Sequence, residues 1–294
     1  MAAVFIVNAD DLGVSRGATL GIIRAHLDGV VTSASIAPTG ADYRHALEAT
    51  RTQCPELGIG LHFTLSNGRP VSDPEDVPLL VDRSGQFRWE FLSLLRSIHW
   101  KRDGGLLHQI EIELEAQIQR LLADGVMPDH LNSERHVHLI PGIFDIVVEA
   151  TRRHQIPFVR AGRDLGPSLT RPGHFKPAIL HGGILKFLLL QGLTRLDRNS
   201  CLKTRHCENF ASYIFTGRID LVLNSILSSK PEGVTEIMVH PGIPEESIDV
   251  NLGNPGLEQY LTLEDRRLEL DACVAARVLS PGLDLCTFGA LAKR

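Results

Sequence analysis

Four short polar clusters carry the residue types that hold metal ions and move protons. They are Asn8-Ala9-Asp10-Asp11, His62 within Gly60-Leu61-His62-Phe63-Thr64, the run from His130 to His138, and His240-Pro241-Gly242. Each sits in or directly after a run of residues that reads as a β-strand. Parallel α/β folds gather their active sites at the carboxyl ends of strands, so four such clusters point to one shared site.

The third cluster is the most informative. Side chains alternate faces along a strand. An extended chain over His130 to Leu139 therefore puts His130, Asn132, Glu134, His136 and His138 on one face, with Leu131, Val137 and Leu139 on the other. So many ligand-type groups suit an apolar core poorly, whereas a metal ion gives them a reason to converge. Histidine and carboxylate donors without a thiolate suit Zn²⁺ or another divalent ion bound through nitrogen and oxygen. Such an ion polarises a carbonyl and lowers the pKa of a water. Asp10 and Asp11 are neighbours, so in extended chain they point opposite ways, and one can bind metal while the other faces the water as a base. The plainer role for such acids is a helix N-cap, but Ser15 is the better cap for the helix that follows. A lone strand histidine such as His62 is more often structural than a ligand. His26, His45, His99, His108, His154, His174, His181 and His206 read as ordinary helix or loop residues, without partners at ligand spacing.

The elements that must position these groups alternate in type. Strands are expected at Val4–Asn8, Val30–Ala37, Leu57–Leu65, His130–Leu139, Pro157–Arg160, Thr235–His240 and Leu283–Phe288. Helical spacing of apolar residues predicts a helix after Ser15 through Leu20, Ile23 and Leu27, and further helices at Ala41–Thr50, Phe144–Arg153, Ile219–Leu227 and Leu261–Val278. A long helix has Ile110, Leu114, Ile118 and Leu121 on one face, with Glu111, Glu113 and Glu115 largely off it, and Gly125 at its end. Residues 66–88 are loop-like. Strands alternating with helices favour a parallel sheet. The expected fold class is α/β, a single-domain irregular (β/α) barrel with parallel strands over residues 1–294, carrying an insertion at 161–206 that shapes a substrate pocket.

Bulk properties narrow the function. A chain of 294 residues, 43% hydrophobic and 22% charged, reads as one large soluble enzyme domain. The net charge of −5 and the lack of a basic, aromatic-laced stripe argue against nucleic acid as a partner. The five cysteines are odd in number and irregular in spacing, as expected of reduced thiols used in packing. The first residues lack the basic region of a secretory signal. The apolar stretch Ile184 to Leu190 is broken by Lys186 and too short to span a bilayer. The expected location is cytoplasmic, and association into a homo-oligomer is left open.

Taken together, the motifs resemble those of the YdjC-like carbohydrate deacetylases of the ChbG/HpnK type. The matching elements are Asn8 to Gly13, Gly58 to Leu65, the His-rich stretch from His130 to Pro141, and Glu236 to Gly242, in the family's order and across nearly the whole chain. The resemblance implies an irregular β/α barrel with one divalent metal, Mg²⁺ or Zn²⁺, that removes an N-acetyl group from an amino sugar or oligosaccharide. It implies Asp10 as general base, and Asp11 and His62 as metal ligands. The chain departs from the family at Asn132, where Asp is common, and at Glu134, where a histidine, the expected third ligand, is common. A carboxylate in that place makes the site harder and more anionic. Glu134 and His138 are the two candidates for the third ligand. His240 is the candidate acid for the leaving amine, because histidine titrates near neutrality.

Two rival readings differ in class or substrate. One is a non-catalytic sugar-binding protein on the same scaffold, suggested by Glu134. The presence of Asp10, Asp11, His62 and His240 argues against it, since a mere binder needs no base and acid. The other is a deacylase of a non-sugar or lipid-linked amide, which fold and metal cannot separate from a sugar deacetylase.

Overall fold

The computed structural model describes residues 3–101, 104–165, 183–196, 203–248 and 254–294. Its strands are β1 (Ala3–Leu12), β2 (Ser33–Ile36), β3 (Gly58–Phe63), β4 (His130–Ser133), β5 (Phe158–Val159), β6 (Arg163–Asp164), β7 (Asn209–Ala211) and β8 (Gly233–Val239). All pair in parallel, in the order β5-β4-β3-β2-β1-β8-β7-β6. β1 lies between β2 and β8, with Asn8 level with Ser33 on one side and Met238 on the other. The sheet curls into a half-barrel with helices packed around it, the irregular barrel expected from the sequence.

The helices are α1 (Arg16–Leu27), α2 (Tyr43–Gln53), α3 (Phe91–Arg96), α4 (Gly104–Ala123), α5 (Ile143–Arg153), α6 (Gly183–Leu196), α7 (Leu223–Ser229), α8 (Pro255–Leu261), α9 (Asp265–Leu279) and α10 (Phe288–Ala292). Ser15 caps α1 as expected, accepting a hydrogen bond from the Ala18 amide. Ile110, Leu114, Ile118 and Leu121 of α4 are fully buried. Glu113, expected off that face, is buried too. Its carboxylate accepts from the Val71 and Ser72 amides, and from Gln117, which also bonds the main chain of Thr64. The buried acid thus fastens the loop after β3 to α4.

Several boundaries differ from expectation. The helix expected over Leu261–Val278 starts later, as α9 at Asp265, and Leu261 closes the preceding helix α8. Leu283–Phe288 makes a single parallel bridge, Phe5 to Leu285, rather than a strand, and Phe288 begins α10. Half of the expected insertion, 166–182 and 197–202 together with His174, His181 and Cys201, lies outside the described residues. The described part contributes β6 to the sheet and α6 to the site.

The largest difference is in the His-rich run. The strand stops at Ser133, and Glu134–Leu139 forms a tight 3₁₀ turn in which Arg135 (φ 50°) and His136 (φ 60°) are left-handed. Two consecutive non-glycine residues in that region break the alternation of faces. The shared face expected for His130, Asn132, Glu134, His136 and His138 does not form. His130 points away from the strand ends, where it bonds Asp129 at 2.7 Å and stacks on Phe288.

Candidate active site

Beyond the carboxyl ends of β1, β3, β4 and β8 lies an open pocket of about 280 Å³. Asp10, Asp11, His62, Glu134, His136 and His240 all line it. The two aspartates share the pocket, against the expectation that they point apart. The reason is a bulge between Ala9 and Leu12, where Asp11 adopts a left-handed backbone (φ 71°) that swings it to Asp10's side. A non-glycine residue held so is costly and is found where function fixes it.

Asp10 is enclosed by donors. Arg160 grips both its oxygens, at 2.6 and 2.7 Å, and the Asn8 and Asn132 amides donate at 2.8 and 3.0 Å. Burial works to raise its pKa. The charge and hydrogen bonds of Arg160, with the nearby His62 and His240, outweigh this and hold it well below the usual carboxylate range. Arg160 is itself buried and also donates to Glu236 at 2.7 Å. Arg160 and Glu236 carried no role in the sequence reading. The cue was an arginine at the end of a short buried strand in a chain with acids at other strand ends, since a buried cation needs such partners.

His62 is oriented from behind. Its Nδ1 donates to Asn132 Oδ1 at 2.7 Å, so Nε2 faces Asp11 Oδ1 at 3.3 Å. A side-chain amide or carboxylate behind one ring nitrogen is how proteins aim the other at a metal. Burial lowers the pKa of His62, but the bond to Asp11 and both aspartate charges raise it to about 9. Glu134 accepts from Ser66 at 2.8 Å. Burial pushes it up to about 7 against that bond, and the charge of Asp11 adds to the rise. Arg135, which also lines the pocket, has its Nε 3.9 Å from Glu134 Oε1.

The two candidates for third ligand fare differently. His138 is fully buried and does not line the pocket. Its Nδ1 lies 2.6 Å from Ser133 Oγ and its Nε2 2.9 Å from the Arg160 carbonyl, so neither nitrogen is free. Burial depresses its pKa to about 3. Glu134 is in the pocket with Asp11 and His62. The donor chemistry of these three suits a divalent ion, and Asp11 with His62 supplies a facing pair. Among the described residues, however, no three His, Cys, Asp or Glu side chains are drawn together as a closed metal site.

His240 follows β8 directly. Its Nδ1 is 3.6 Å from the buried Glu269 of α9, which also accepts its backbone N–H. Arg266 donates to the His240 carbonyl at 3.0 Å. Burial works to raise the pKa of Glu269, and Arg266 and His240 pull it below the ordinary value. Lys186 of α6 also reaches the pocket and donates to Thr216 at 2.9 Å, with burial lowering its pKa to about 8. Of the histidines set aside as ordinary, His26, His45, His99, His108, His154 and His206 are not among the pocket's lining residues. Two of them do have acidic partners near the surface, His45 with Asp42 and His154 with Glu115, each at 2.9 Å. Cys54, Cys207, Cys273 and Cys286 are buried and unpaired.

A curled parallel half-barrel with acids and histidines at its strand ends has the layout of an α/β enzyme. Residues 4–280 match the family model described as YdjC-like protein, and the chain belongs to that family. It is 30% identical over 253 residues to a carbohydrate deacetylase of Thermoanaerobacter pseudethanolicus, covering 85% of this chain and 84% of the relative. It is 40% identical over 152 residues to a carbohydrate deacetylase of Brevibacillus brevis, covering 52% of this chain and 57% of that protein. It matches a chitooligosaccharide deacetylase of Proteus mirabilis at 37% over 160 residues, 53% of this chain and 58% of the relative. The chain thus spans somewhat over half the length of several of the relatives it matches. A crystal structure from Enterococcus faecalis V583, described as that of a cellobiose-phosphate cleavage protein, superposes with a TM-score of 0.72 at 25% identity, covering 99% of each chain.

Proposed function

We propose that this protein is a metal-dependent hydrolase that removes the N-acetyl group of an amino sugar or oligosaccharide. The observation that carries the reading is the meeting of Asp10, Asp11, His62 and His240, from three separate strand ends, in one pocket. The relatives named as carbohydrate deacetylases support the substrate class.

Asp11 and His62 would hold the divalent ion, with Glu134 as the available third donor. When bound, the ion supplies Lewis-acid polarisation of the amide carbonyl and acidifies water. Asp10 accepts the proton of the attacking water. The clamp of Arg160 and the asparagines keeps it ionised and fixed in direction. His240 donates a proton to the nitrogen of the departing amine, and Glu269 stands behind it, 3.6 Å from Nδ1. Arg160 and Glu236 do not touch the substrate and act by holding Asp10.

The test is acetate release from a panel of N-acetylated sugars by protein loaded with Mg²⁺ or Zn²⁺, beside Asp10→Asn. Turnover should fall ~10²–10⁴-fold in the variant, with the metal retained. Near-normal turnover would remove Asp10 from the mechanism. Glu134, standing where the family commonly has a histidine ligand, favours one other reading, a sugar-binding protein without turnover. Saturable sugar binding with no acetate released by the metal-loaded protein would establish it.

A further inference from the structure

Next to the main pocket is a second, much smaller recess. It shares Asp10, Asp11 and His240 with the pocket and has a free volume of about 10 Å³. That is room for one water-sized group. Its remaining lining is Ala18, Pro241, Gly242, Leu261 and Arg266. Arg266 donates from its two terminal nitrogens to the His240 carbonyl, Tyr260 and the Gly217 carbonyl, and its buried Nε has no partner among the described residues. Ala18 and Leu261 belong to a separate apolar cluster with Val14 and Ala37. A small recess, walled by Ala18, Pro241 and Leu261 on its apolar side, therefore opens directly beside the base and the acid.

We propose that this recess receives the acyl group of the substrate and that Leu261, with Ala18, limits that group to acetyl. The inference rests on the deacylase reading above. The base and the acid must flank the scissile amide. The sugar then occupies the open pocket, and the carbon beyond the carbonyl enters the recess that both groups border. A methyl group fits there, and a longer chain meets Leu261.

The walls cannot yield easily. A methyl group placed on Gly21 would collide with Gly242, and one on Gly17 with the Ile243 carbonyl. The main chain of α1 thus lies directly against residues 241–243. Widening that side needs backbone movement, whereas Leu261 and Ala18 close the recess with side chains that substitution can change. Leu261 is 3% exposed at the end of α8.

The experiment compares N-acetyl-, N-propionyl- and N-butyryl-chitobiose as substrates of the metal-loaded protein, measuring release of the carboxylic acid. One methylene in a fitted apolar site is worth roughly 10–200-fold in kcat/KM. The wild type should therefore lose about tenfold or more per added methylene. Leu261→Ala should raise the butyryl-to-acetyl ratio at least ~10-fold, toward the lower bound for one methylene. Leu261→Val, a smaller deletion, should raise the propionyl-to-acetyl ratio and decides the matter if the alanine variant does not fold. Ala18→Val, assayed with N-formyl-chitobiose as an added substrate, should lower acetyl turnover more than formyl turnover. The proposal is overturned if the wild type treats the three acyl groups alike, or if folded Leu261 variants leave both ratios unchanged while releasing acetate. Failure of the wild type to release acid from any of the three is a separate outcome. It would overturn the deacylase reading, and the acyl recess with it.

Discussion

Replacing Arg160 with methionine removes the cation between two buried carboxylates, Asp10 and Glu236, while keeping much of the side-chain volume. In the native protein Arg160 donates to both at 2.6–2.7 Å, and all three side chains are almost entirely buried. Removing one partner of a buried ion pair costs about 3–5 kcal/mol, because a charge is left uncompensated. At roughly 2–4 °C per kcal/mol for a chain somewhat smaller than this one, the midpoint should fall by roughly 6–20 °C at pH 7. The pH dependence carries the sharper test. In the wild type the depressed pKa of Asp10 contributes stability above the unfolded carboxylate value, and it is lost as pH falls through the folded value. Glu236 is raised by burial even beside Arg160. Without Arg160, burial dominates at both acids and lifts both folded values above the unfolded ones. The variant is then most stable, relative to its own maximum, below about pH 4 and loses stability as pH rises. The difference between the two proteins, followed by urea unfolding with a chelator present, should be largest near pH 7 and shrink on acidification. A difference that is constant with pH, or below about 1 kcal/mol, would refute the assigned role of Arg160. Adding Asp10→Asn and Glu236→Gln to the variant should restore most of the loss, since no unpaired charge remains.

Three further outcomes are expected at the site. Asp11→Ala and His62→Ala should each lower the metal retained after dialysis, as read by elemental analysis, and a full equivalent in both would exclude them as ligands. Glu134→His should retain metal and shift preference toward Zn²⁺, the softer partner of imidazole, whereas Glu134→Ala should weaken binding; equal binding in all three proteins would remove Glu134 from the donor set. His240→Asn should slow amides with poor leaving groups far more than activated ones, and equal losses on both would exclude proton donation by His240.

The parallel framework was legible because buried strands such as Val4–Val7 and Ile237–Val239 are apolar runs that helical periodicity does not explain. The positions of Asp10, Asp11, His62 and His240 followed from strand ends alone. What failed was the extension of β4 through His138. The tight turn there depends on left-handed Arg135 and His136, and nothing in the types of these residues announces that conformation. The same is true of Asp11, whose bulge brings it to Asp10's side. Arg160, Glu236 and Glu269 were missed for a different reason. Each lies on a different element from the residue it serves, 29 or more positions away for the bonds to His240 and Asp10, and periodicity within one element carries no such information.

The buried Glu113 of α4 bears on how this scaffold can be redesigned. The loop after β3 supplies Ser66 to Glu134, and it is anchored at Val71 and Ser72 by a carboxylate that belongs to a helix some forty residues further along. Gln117 of the same helix clasps Thr64. The loop and one turn of α4 are therefore a single transplantable module. Exchanging residues 66–88 for the corresponding segment of a relative, to import a different substrate range, would leave Glu113 buried without its amides unless 113 and 117 travel with the graft. Libraries that vary the loop alone will be dominated by misfolded members, whereas those that vary loop and helix turn together will sample the pocket.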